Sequence, residues 1–334
     1  MPYSIAEHLP SMTEPLKRGA YISLIRESVI ADMLSFRNTN AMSIAGERYD
    51  NVIEPEWIDL NEAIPDKTTR GKNLSYGVYQ MAVHLDIPNP LERDDGVLER
   101  PSSRQAKMAM IGAAYQFNNT FVNGDQAVNP KQFDGIEKIV TNMGSAQSVG
   151  ATEIDISGAP TEAVMQSFVD RFDSMIDAVN GHKPDFILSN RQFGLRARSV
   201  FRRMKLAGND ADWLNGNYLP FMDQRRSSSA ASTKPMFVYQ DIPVYDIGPR
   251  ADMTTNIILN TYAEAASAGA TRVYAIKQGS DDLEGLQFAP PSMKKIFDTL
   301  EDKDVQRHRF TWITGLGMWS RNGMSVMRGV KVTA

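Results

Sequence analysis

The stretch YQFNNTFVNGDQAVNPKQFDGIEKI, residues 115–139, starts inside a long predicted helix and continues beyond its end. The helix is predicted over 102–122, because Ser102 and Gln105 match a capping box at its start. The Asn-Gly pair that follows supplies a stop signal. Apolar residues recur at helical spacing on two sides of this helix, which is typical of a helix buried from two sides. One stripe is Met108, Ile111 and Tyr115; the other is Met110, Ala113, Ala114, Phe117 and Phe121.

The chain is long and close to the globular average in composition. Its 334 residues suit two compact lobes, or one domain with long extensions. Apolar residues make up 42% and charged residues 23%, which disfavours wholesale disorder. The net charge of −4 disfavours specific nucleic-acid binding, although it leaves room for a local basic patch.

Several chemistries are excluded by composition. The sequence has no cysteine, so disulfides, thiolate zinc sites and cysteine nucleophiles are absent. The first residues lack a secretory pattern, and no apolar run approaches the ~20 residues that cross a bilayer. We therefore expect a soluble protein made in a cytoplasm, with no membrane partner.

The region before the long helix is predicted to be extended. Residues 13–35 have apolar spacing typical of a helix, which we expect to form a terminal arm. Apolar and polar residues alternate from 79 to 87, which predicts a half-buried strand, with 57–60 as its partner. Such a hairpin alone is marginal in water, so it needs another surface, for which a neighbouring copy is a candidate.

The rest of the chain mixes helices with strands. Between 130 and 280 the pattern alternates, with helices over 161–180 and from Asn190 to about Leu206, which indicates an α/β or α+β lobe. The final section is rich in strands. Its Arg321–Asn322–Gly323 turn predicts a closing hairpin.

A search for catalytic or metal-binding patterns finds none. The four histidines share no metal-ligand spacing, and no phosphate loop or nucleophile elbow occurs. The acidic pairs Asp94–Asp95 and Asp281–Asp282 lack a third ligand nearby and are interpreted as solvated turns. We therefore predict no catalytic residue, no bound metal and no cofactor.

One cluster of basic residues stands out on the helix after Asn190. Its arginine stems could cover apolar neighbours on a solvated face. Salt bridges to an adjacent subunit are equally plausible from the residues, and contact with packaged nucleic acid is a third interpretation. The cluster consists of Arg191, Arg196, Arg198, Arg202, Arg203 and Lys205.

The opening stretch resembles the major capsid proteins of tailed bacteriophages. In that family a long helix ends in an aromatic-Asn-Gly-Asp turn, and a Pro-x-x-Phe-Asp-Gly segment leads into the next lobe. The start of the helix at 190–198 looks similar as well. The matching residues are Phe121, Asn123, Gly124, Asp125, Pro130, Phe133, Asp134, Gly135 and Ile136, and near the C-terminus Trp312, Gly315, Leu316, Arg328 and Gly329.

The resemblance implies an α+β, Hong Kong 97-type capsid fold. Within the turn motif, Gly124 and Gly135 are expected to serve backbone geometry through positive φ. The implied domains are an N-terminal arm at 1–43, an extended E-loop at 44–87, a P-domain at 88–139 containing helix 102–122, an A-domain at 140–285, and a return to the P-domain sheet at 286–334.

The implied function is that of a shell subunit and not an enzyme. Copies would assemble as hexamers and pentamers of an icosahedral virion capsid in the host cytoplasm, around double-stranded DNA that they contact without sequence specificity. Further implied partners are a separate scaffolding protein, a portal and a decoration protein. Some members cross-link a loop lysine, for which Lys67 and Lys72 are the candidates here. The alternatives are an encapsulin-type nanocompartment and, less favoured, a soluble α/β enzyme.

Overall fold

The structure is a computed structural model that describes residues 3–4, 28–48, 53–59, 63–64, 66–67, 71–92, 101–150, 152–179, 181, 183–207, 235–264, 267–297 and 304–333. Within these ranges, no helix has both the length and the apolar character needed to cross a membrane. The helices are α1 (Val29–Met33), α2 (Asn89–Glu92), α3 (Pro101–Asn123), α4 (Ile136–Met143), α5 (Glu162–Asp177) and α6 (Arg191–Ala207).

Two long antiparallel strands form the centre of a five-stranded sheet. They are β13 (Leu283–Phe297) and β14 (Val305–Met318), and β5 (Tyr79–Pro88) pairs antiparallel to β14. On the other side, β2 (Ser35–Asn38) pairs parallel to β13, and β1 (Tyr3–Ser4) pairs with β2. Three of these strands are ten residues or longer, so the sheet is elongated.

A second, mixed sheet lies between two layers of helices. Its strand order is β6-β15-β12-β8-β10-β9, with β7 added to β15 and β11 added to β12. The strands are β6 (Ser148–Val149), β7 (Ile154–Asp155), β8 (Phe186–Ser189), β9 (Phe237–Tyr239), β10 (Ile242–Asp246), β11 (Tyr262–Glu264), β12 (Ser267–Ile276) and β15 (Met324–Lys331).

Side chains of the mixed sheet alternate between two hydrophobic cores. Phe186 and Leu188 of β8 point into the core that also contains α3 and α4, whereas Ile187 points into the core beneath α5 and α6. This follows from the period of two in a strand, and it explains why three consecutive residues of β8, Phe186 to Leu188, are all apolar. The α3 core continues into the five-stranded sheet, where Trp312 is buried against Phe117 with ring centroids 4.7 Å apart.

Helix α3 confirms the predicted long helix but not its burial from two sides. It extends one residue beyond the predicted range at each end. The stripe that contains Phe117 and Phe121 is buried. In the other stripe Met108 is 60% exposed, while Ile111 and Tyr115 are only partly covered. Within the described part of the chain, one apolar face of α3 therefore lacks a full cover.

The predicted C-terminal hairpin is wrong. Strands β14 and β15 follow each other in the sequence, but they belong to different sheets. β14 already pairs on both sides with β13 and β5, and β15 pairs with β12 on one side and with β6 and β7 on the other. No free edge is left for the two strands to share. The turn at Arg321–Asn322–Gly323 carries the chain from one sheet to the other.

The predicted partner of residues 79–87 is also wrong. Strand β5 does not pair with 57–60; it pairs with β14. In this position Met81 and Leu85 pack against the α3 core, and Ile87 is buried. The hairpin is instead formed by β3 (Ser43–Arg48) and β4 (Lys72–Gly77), which make a separate two-stranded sheet.

The terminal arm differs in part from the prediction. Residues 13–27 of the predicted helix lie outside the described residues. Helix α1 ends at Met33, two residues before the predicted end, and β2 begins at Ser35. The helix stops here because the chain becomes extended to form β2, which pairs with β13. In this conformation Leu34 and Phe36 are both buried in the α3 core.

Candidate assembly surfaces

The turn after α3 brings the predicted motif residues together. The side-chain amide of Asn123 donates to the carbonyl oxygen of Ile257 at 3.1 Å, which ties the helix end to a loop of the mixed-sheet lobe. The Gly124 N–H donates to the carbonyl of Thr120 at 2.8 Å, and the Gly135 N–H donates to the carbonyl of Gly124 at 2.8 Å. The two ends of the motif are thus joined by backbone hydrogen bonds.

Close backbone contact explains both glycines of the motif. A Cβ atom on Gly124 would lie 2.5 Å from the carbonyl oxygen of Thr120, and one on Gly135 would lie 2.7 Å from the nitrogen of Gly124. The expectation of positive φ is wrong for both, since neither is among the glycines with positive φ and Gly135 has a φ of −80°. Here glycine is required for space.

The other motif residues stabilise the same turn. Phe133 is buried with its ring centroid 6.0 Å from that of Phe117. Asp134 accepts a hydrogen bond from the Gln126 N–H at 2.7 Å. Asp125 accepts from Lys138 Nζ at 3.0 Å, and this bond lowers the pKa of the Asp125 carboxyl group. Asn123, Asp125, Phe133 and Asp134 each have a partner within the chain, which indicates that these side chains stabilise the turn.

A network of charges joins α4 to the strands of the mixed sheet. Glu137 Oε1 lies 2.8 Å from Arg272 Nη1 and 2.7 Å from Arg328 Nη2. Glu264 Oε1 contacts the same two arginines, at 2.5 Å and 3.4 Å. Tyr274 donates its hydroxyl proton to Glu137, and burial followed by the charge of Glu137 raises the Tyr274 pKa well above its usual value.

Sequence reasoning found only one member of this network. Arg328 was noted through the family resemblance, whereas Glu137, Glu264 and Arg272 were missed. Glu264 and Arg272 are eight residues apart, but Glu137 and Arg328 are distant from them and from each other. The four share no motif spacing, so only the fold brings them together. Four alternating charges in contact stabilise more than isolated surface pairs do, because each side chain is already ordered by its neighbours.

The glycine after Arg328 has a different backbone role. Gly329 has a φ of 71°, and the register between β12 and β15 shifts at this point, which forms a bulge. Its N–H donates to Glu264 Oε2 at 3.0 Å. A Cβ atom at this position would lie 2.9 Å from the carbonyl oxygen of Thr152. The bulge therefore needs glycine for both its φ and its space.

The β3–β4 hairpin is anchored to the body at its base. The Tyr76 hydroxyl donates to the carbonyl of Met318 at 2.5 Å, and the Tyr76 ring meets Trp319 edge-on with centroids 5.1 Å apart. The Trp319 indole N–H donates to the buried Glu284 at 2.7 Å. A side chain at Gly46 would collide with the Trp319 ring. The base of the hairpin is thus fixed by specific contacts.

The loop beyond the hairpin exposes large apolar side chains. Trp57 is fully exposed, Ile64 is 80% exposed, and Ile53 and Ile58 are 48% and 41% exposed. Such a concentration of exposed apolar residues marks an interaction surface more often than scattered single residues do. Lys67, a candidate for cross-linking, forms an ion pair with Glu56 of the same loop. We name residues 53–67 the apolar loop.

The basic cluster lies on α6, and the described part of the chain offers it no ion pair. Arg191 and Arg202 are exposed, and Arg196, Arg198 and Arg203 are half-buried. The side chain of Lys205 lies outside the described residues. Arg198 Nε donates to the carbonyl of Gly194 at 3.0 Å, so this stem lies along the helix.

The acidic pairs and histidines form no metal site among the described residues. No group of three or more His, Asp or Glu side chains with suitable geometry is found there. Asp282 Oδ2 lies 3.7 Å from Lys277 Nζ, so these two side chains form an ion pair. The pair Asp94–Asp95, together with His8 and His182, lies outside the described residues.

Comparisons by sequence and by structure give different results. No family model matches the chain, and no curated protein matches it by sequence. Solved structures match over most of their length. The SrpI encapsulin from Synechococcus elongatus PCC 7942 is 11% identical, with 90% of this chain and 87% of that chain covered and a TM-score of 0.59.

Two further structures come from phage-related particles. The capsid of a native GTA particle is 13% identical, with 91% and 90% of the two chains covered and a TM-score of 0.58. A structure from Mycobacterium phage Cain is 13% identical, with 92% and 91% covered and a TM-score of 0.58. At these identities the likeness establishes the fold: the chain has the α+β Hong Kong 97-type capsid fold.

Proposed function

We propose that this chain is the major capsid protein of a tailed bacteriophage, and that its copies assemble as hexamers and pentamers of an icosahedral shell around double-stranded DNA. The observation that carries the proposal is the apolar loop on the β3–β4 hairpin, set on a fold known from shells. Fully exposed Trp57 and largely exposed Ile64 lie on this loop. The role is structural and requires no catalytic residue.

The hairpin supports assembly on energetic grounds. A two-stranded sheet has no hydrophobic core of its own and is marginal in water. Burying a Trp or Ile side chain against a neighbour contributes roughly 1.5–3 kcal/mol each. An obligate interface commonly buries on the order of 2,000 Å² or more, so a neighbouring copy can supply the missing stability.

The incompletely covered face of α3 supports the same proposal. Met108 is exposed, while Ile111 and Tyr115 are half-buried, although their spacing forms an apolar stripe. In a shell, an arm or loop of an adjacent subunit would cover this stripe. The prediction of burial from two sides would then hold for the assembled subunit.

The domain boundaries remain a proposal, with one refinement. We keep an N-terminal arm at 1–43, a P-domain that contains α3 and the elongated sheet, and an A-domain at 140–285 built on the mixed sheet. The E-loop is better taken as 44–77 than as 44–87, because β3 and β4 form the separate hairpin whereas β5 belongs to the elongated sheet.

The remaining partners follow from the proposed role. They are a separate scaffolding protein, a portal, a decoration protein, and packaged DNA contacted without sequence specificity. The location would be the virion capsid, assembled in the host cytoplasm. Cross-linking through Lys67 or Lys72 stays a proposal of the resemblance, and the ion pair of Lys67 with Glu56 keeps that ammonium group within its own loop.

Particle size tests the proposed function. The purified chain, alone or with its scaffolding protein, is expected to form particles visible by negative-stain microscopy and to elute at megadalton mass. Replacing residues 49–71 by an Asn-Gly turn should leave a folded subunit that forms no shell, because β3 and β4 remain paired at Arg48 and Lys72. Normal shells from this variant, or a small oligomer from the wild type, would contradict the proposal.

An encapsulin-type nanocompartment is the second candidate. The match to the SrpI encapsulin, at a TM-score of 0.59, favours it specifically. The two functions differ in what the shell contains. Particles isolated from the native source should contain nuclease-protected double-stranded DNA if the chain is a capsid protein, and a packaged protein cargo without genome-length DNA if it is an encapsulin.

A further inference from the structure

The two helices on the outer side of the mixed sheet carry opposite charge. Helix α5 (Glu162–Asp177) has four acidic residues and one arginine, Arg171, whose Nη2 donates to Thr152 Oγ1 at 2.7 Å. Helix α6 (Arg191–Ala207) has five arginines, one lysine and no acidic residue. The helices pack against each other, with the rings of Phe168 and Phe193 5.9 Å apart.

The basic face of α6 is oriented outward. Arg191, Arg198 and Arg202 are separated by seven and four residues, so they lie on one side of the helix. The Nε atoms of Arg198 and Arg202 donate to backbone carbonyls one turn earlier, at 3.0 and 3.3 Å. Within the described ranges their terminal nitrogens have no acceptor. These guanidinium groups are therefore partly ordered before any partner binds.

The acidic face of α5 concentrates like charges. Asp170, Asp173 and Asp177 recur at helical spacing, and Asp170 and Asp177 are exposed. Asp173 accepts from the Tyr239 hydroxyl at 2.7 Å. Burial raises the pKa of the Asp173 carboxyl group, and the charges of Asp177 and Asp170 raise it further. The face therefore carries negative charge that favours contact with cationic side chains.

We infer that the basic face of α6 docks on the acidic face of α5 in a second copy of this chain, head to tail around a ring. This inference rests on the proposed function. The two faces differ, so the contact is heterologous, and heterologous contacts form rings when the rotation between successive copies closes. A phosphate backbone fits less well, because the acidic helix beside α6 would repel it and the whole chain carries a net charge of −4.

Charge reversal provides the test. Arg198→Glu with Arg202→Glu makes both faces acidic, and Asp170→Lys with Asp177→Lys makes both basic. Each variant should yield at least about tenfold less assembled material than wild type, because like charges that meet across an interface oppose association. The matched control, Arg198→Lys with Arg202→Lys, retains the charge and should assemble. Circular dichroism and melting of the unassembled subunits establish that each variant is folded.

Complementation distinguishes an interface from a general defect. One chain carrying all four reversals should assemble again, since its faces are once more opposite. An equal mixture of the acidic and basic variants should also form rings, in which the two alternate. Alternation closes only rings with an even number of subunits, so native mass spectrometry should find mixed hexamers and no mixed pentamers.

Several outcomes would overturn the inference. If the wild type and both reversal variants all form normal shells, the proposed interface is wrong, whereas the proposed function still holds. If the reversal variants fold but fail to assemble, and the chain with all four substitutions also fails to assemble, these charges do not meet each other. Normal shells with reduced DNA retention would assign the basic face to phosphate. A wild-type chain that forms no particle would overturn the proposed function and this inference with it.

Discussion

The turn after α3 and the apolar loop differ in what satisfies their side chains. In the turn, Gly124 and Gly135 lie in backbone contact, and Phe133 is buried in the same chain. In the loop, Trp57 and Ile64 face solvent. The first region is complete within one subunit, whereas the second is apolar without a cover. The difference teaches that the turn stabilises the folded chain, whereas the loop is free to serve the proposed assembly.

The largest expected loss of stability comes from the turn. Gly124→Ala places a Cβ atom against the carbonyl oxygens of Thr120 and Phe133, so we expect the free energy of unfolding to fall by about 4 kcal/mol. The matched control is Gly112→Ala within the preceding helix α3, where nothing lies within 4 Å of the new Cβ. That variant should gain about 0.5–1 kcal/mol, measured by urea denaturation. If the two substitutions changed the free energy of unfolding equally, the turn would not require glycine at position 124.

The charge network is expected to come next. Glu137→Gln leaves Arg272 and Arg328 with only Glu264, and we expect a loss of about 1–3 kcal/mol. The loop offers the matched change, since Glu56→Gln removes the exposed ion pair with Lys67. That change should cost less than about 1 kcal/mol. Urea denaturation of unassembled subunits measures the two losses. A larger loss for Glu56→Gln than for Glu137→Gln would contradict a structural role for the network.

A pH dependence should accompany this network. The Tyr274 pKa is raised in the folded chain, first by burial and then by Glu137. Its contribution to stability is therefore complete below the unfolded pKa of about 10, and it is lost as pH rises above that value. Tyr274→Phe should reduce the slope of unfolding free energy against pH between about 10 and 11. An unchanged slope in the variant would mean that the folded tyrosine titrates normally.

The smallest effect on stability is expected in the apolar loop. Trp57→Ala removes a side chain that contacts solvent, so unfolding of the isolated subunit should change by less than about 0.5 kcal/mol. Shell formation, followed by light scattering, should nevertheless fall sharply, as expected for an aromatic anchor at an interface. Trp312→Ala is the contrast, because that ring is buried and its loss should lower the free energy of unfolding by about 3 kcal/mol. If Trp57→Ala assembled normally, this loop would not be an interface.

Patterns with local causes were predicted well. Helix α3 was found almost to the residue, because capping and stop signals act within a few residues. The alternation at 79–87 was correctly interpreted as a strand, since a period of two reflects burial of one face. The predicted partners were wrong for β5 and for β14, because pairing depends on which sheet edges remain free.

The candidate site was predictable in a similar way. The turn residues from Asn123 to Gly135 are close in sequence, and in the structure a backbone hydrogen bond joins Gly124 to Gly135. The reason for the glycines was mistaken, because a sequence does not reveal that two backbone segments touch. The network of Glu137, Glu264, Arg272 and Arg328 could not be found from spacing. Glu264 and Arg272 are eight residues apart, but Glu137 and Arg328 come from distant parts of the chain.

The sequence by itself determined the mixed α+β character, the position of the long helix and the basic character of α6, because periodicity and charge are properties of neighbouring residues. Only the tertiary structure decided which strands pair, why Gly124 must be glycine, and that α5 and α6 present opposite charges side by side. Those features depend on distances between residues far apart in the chain, and such distances exist only once the cores have closed.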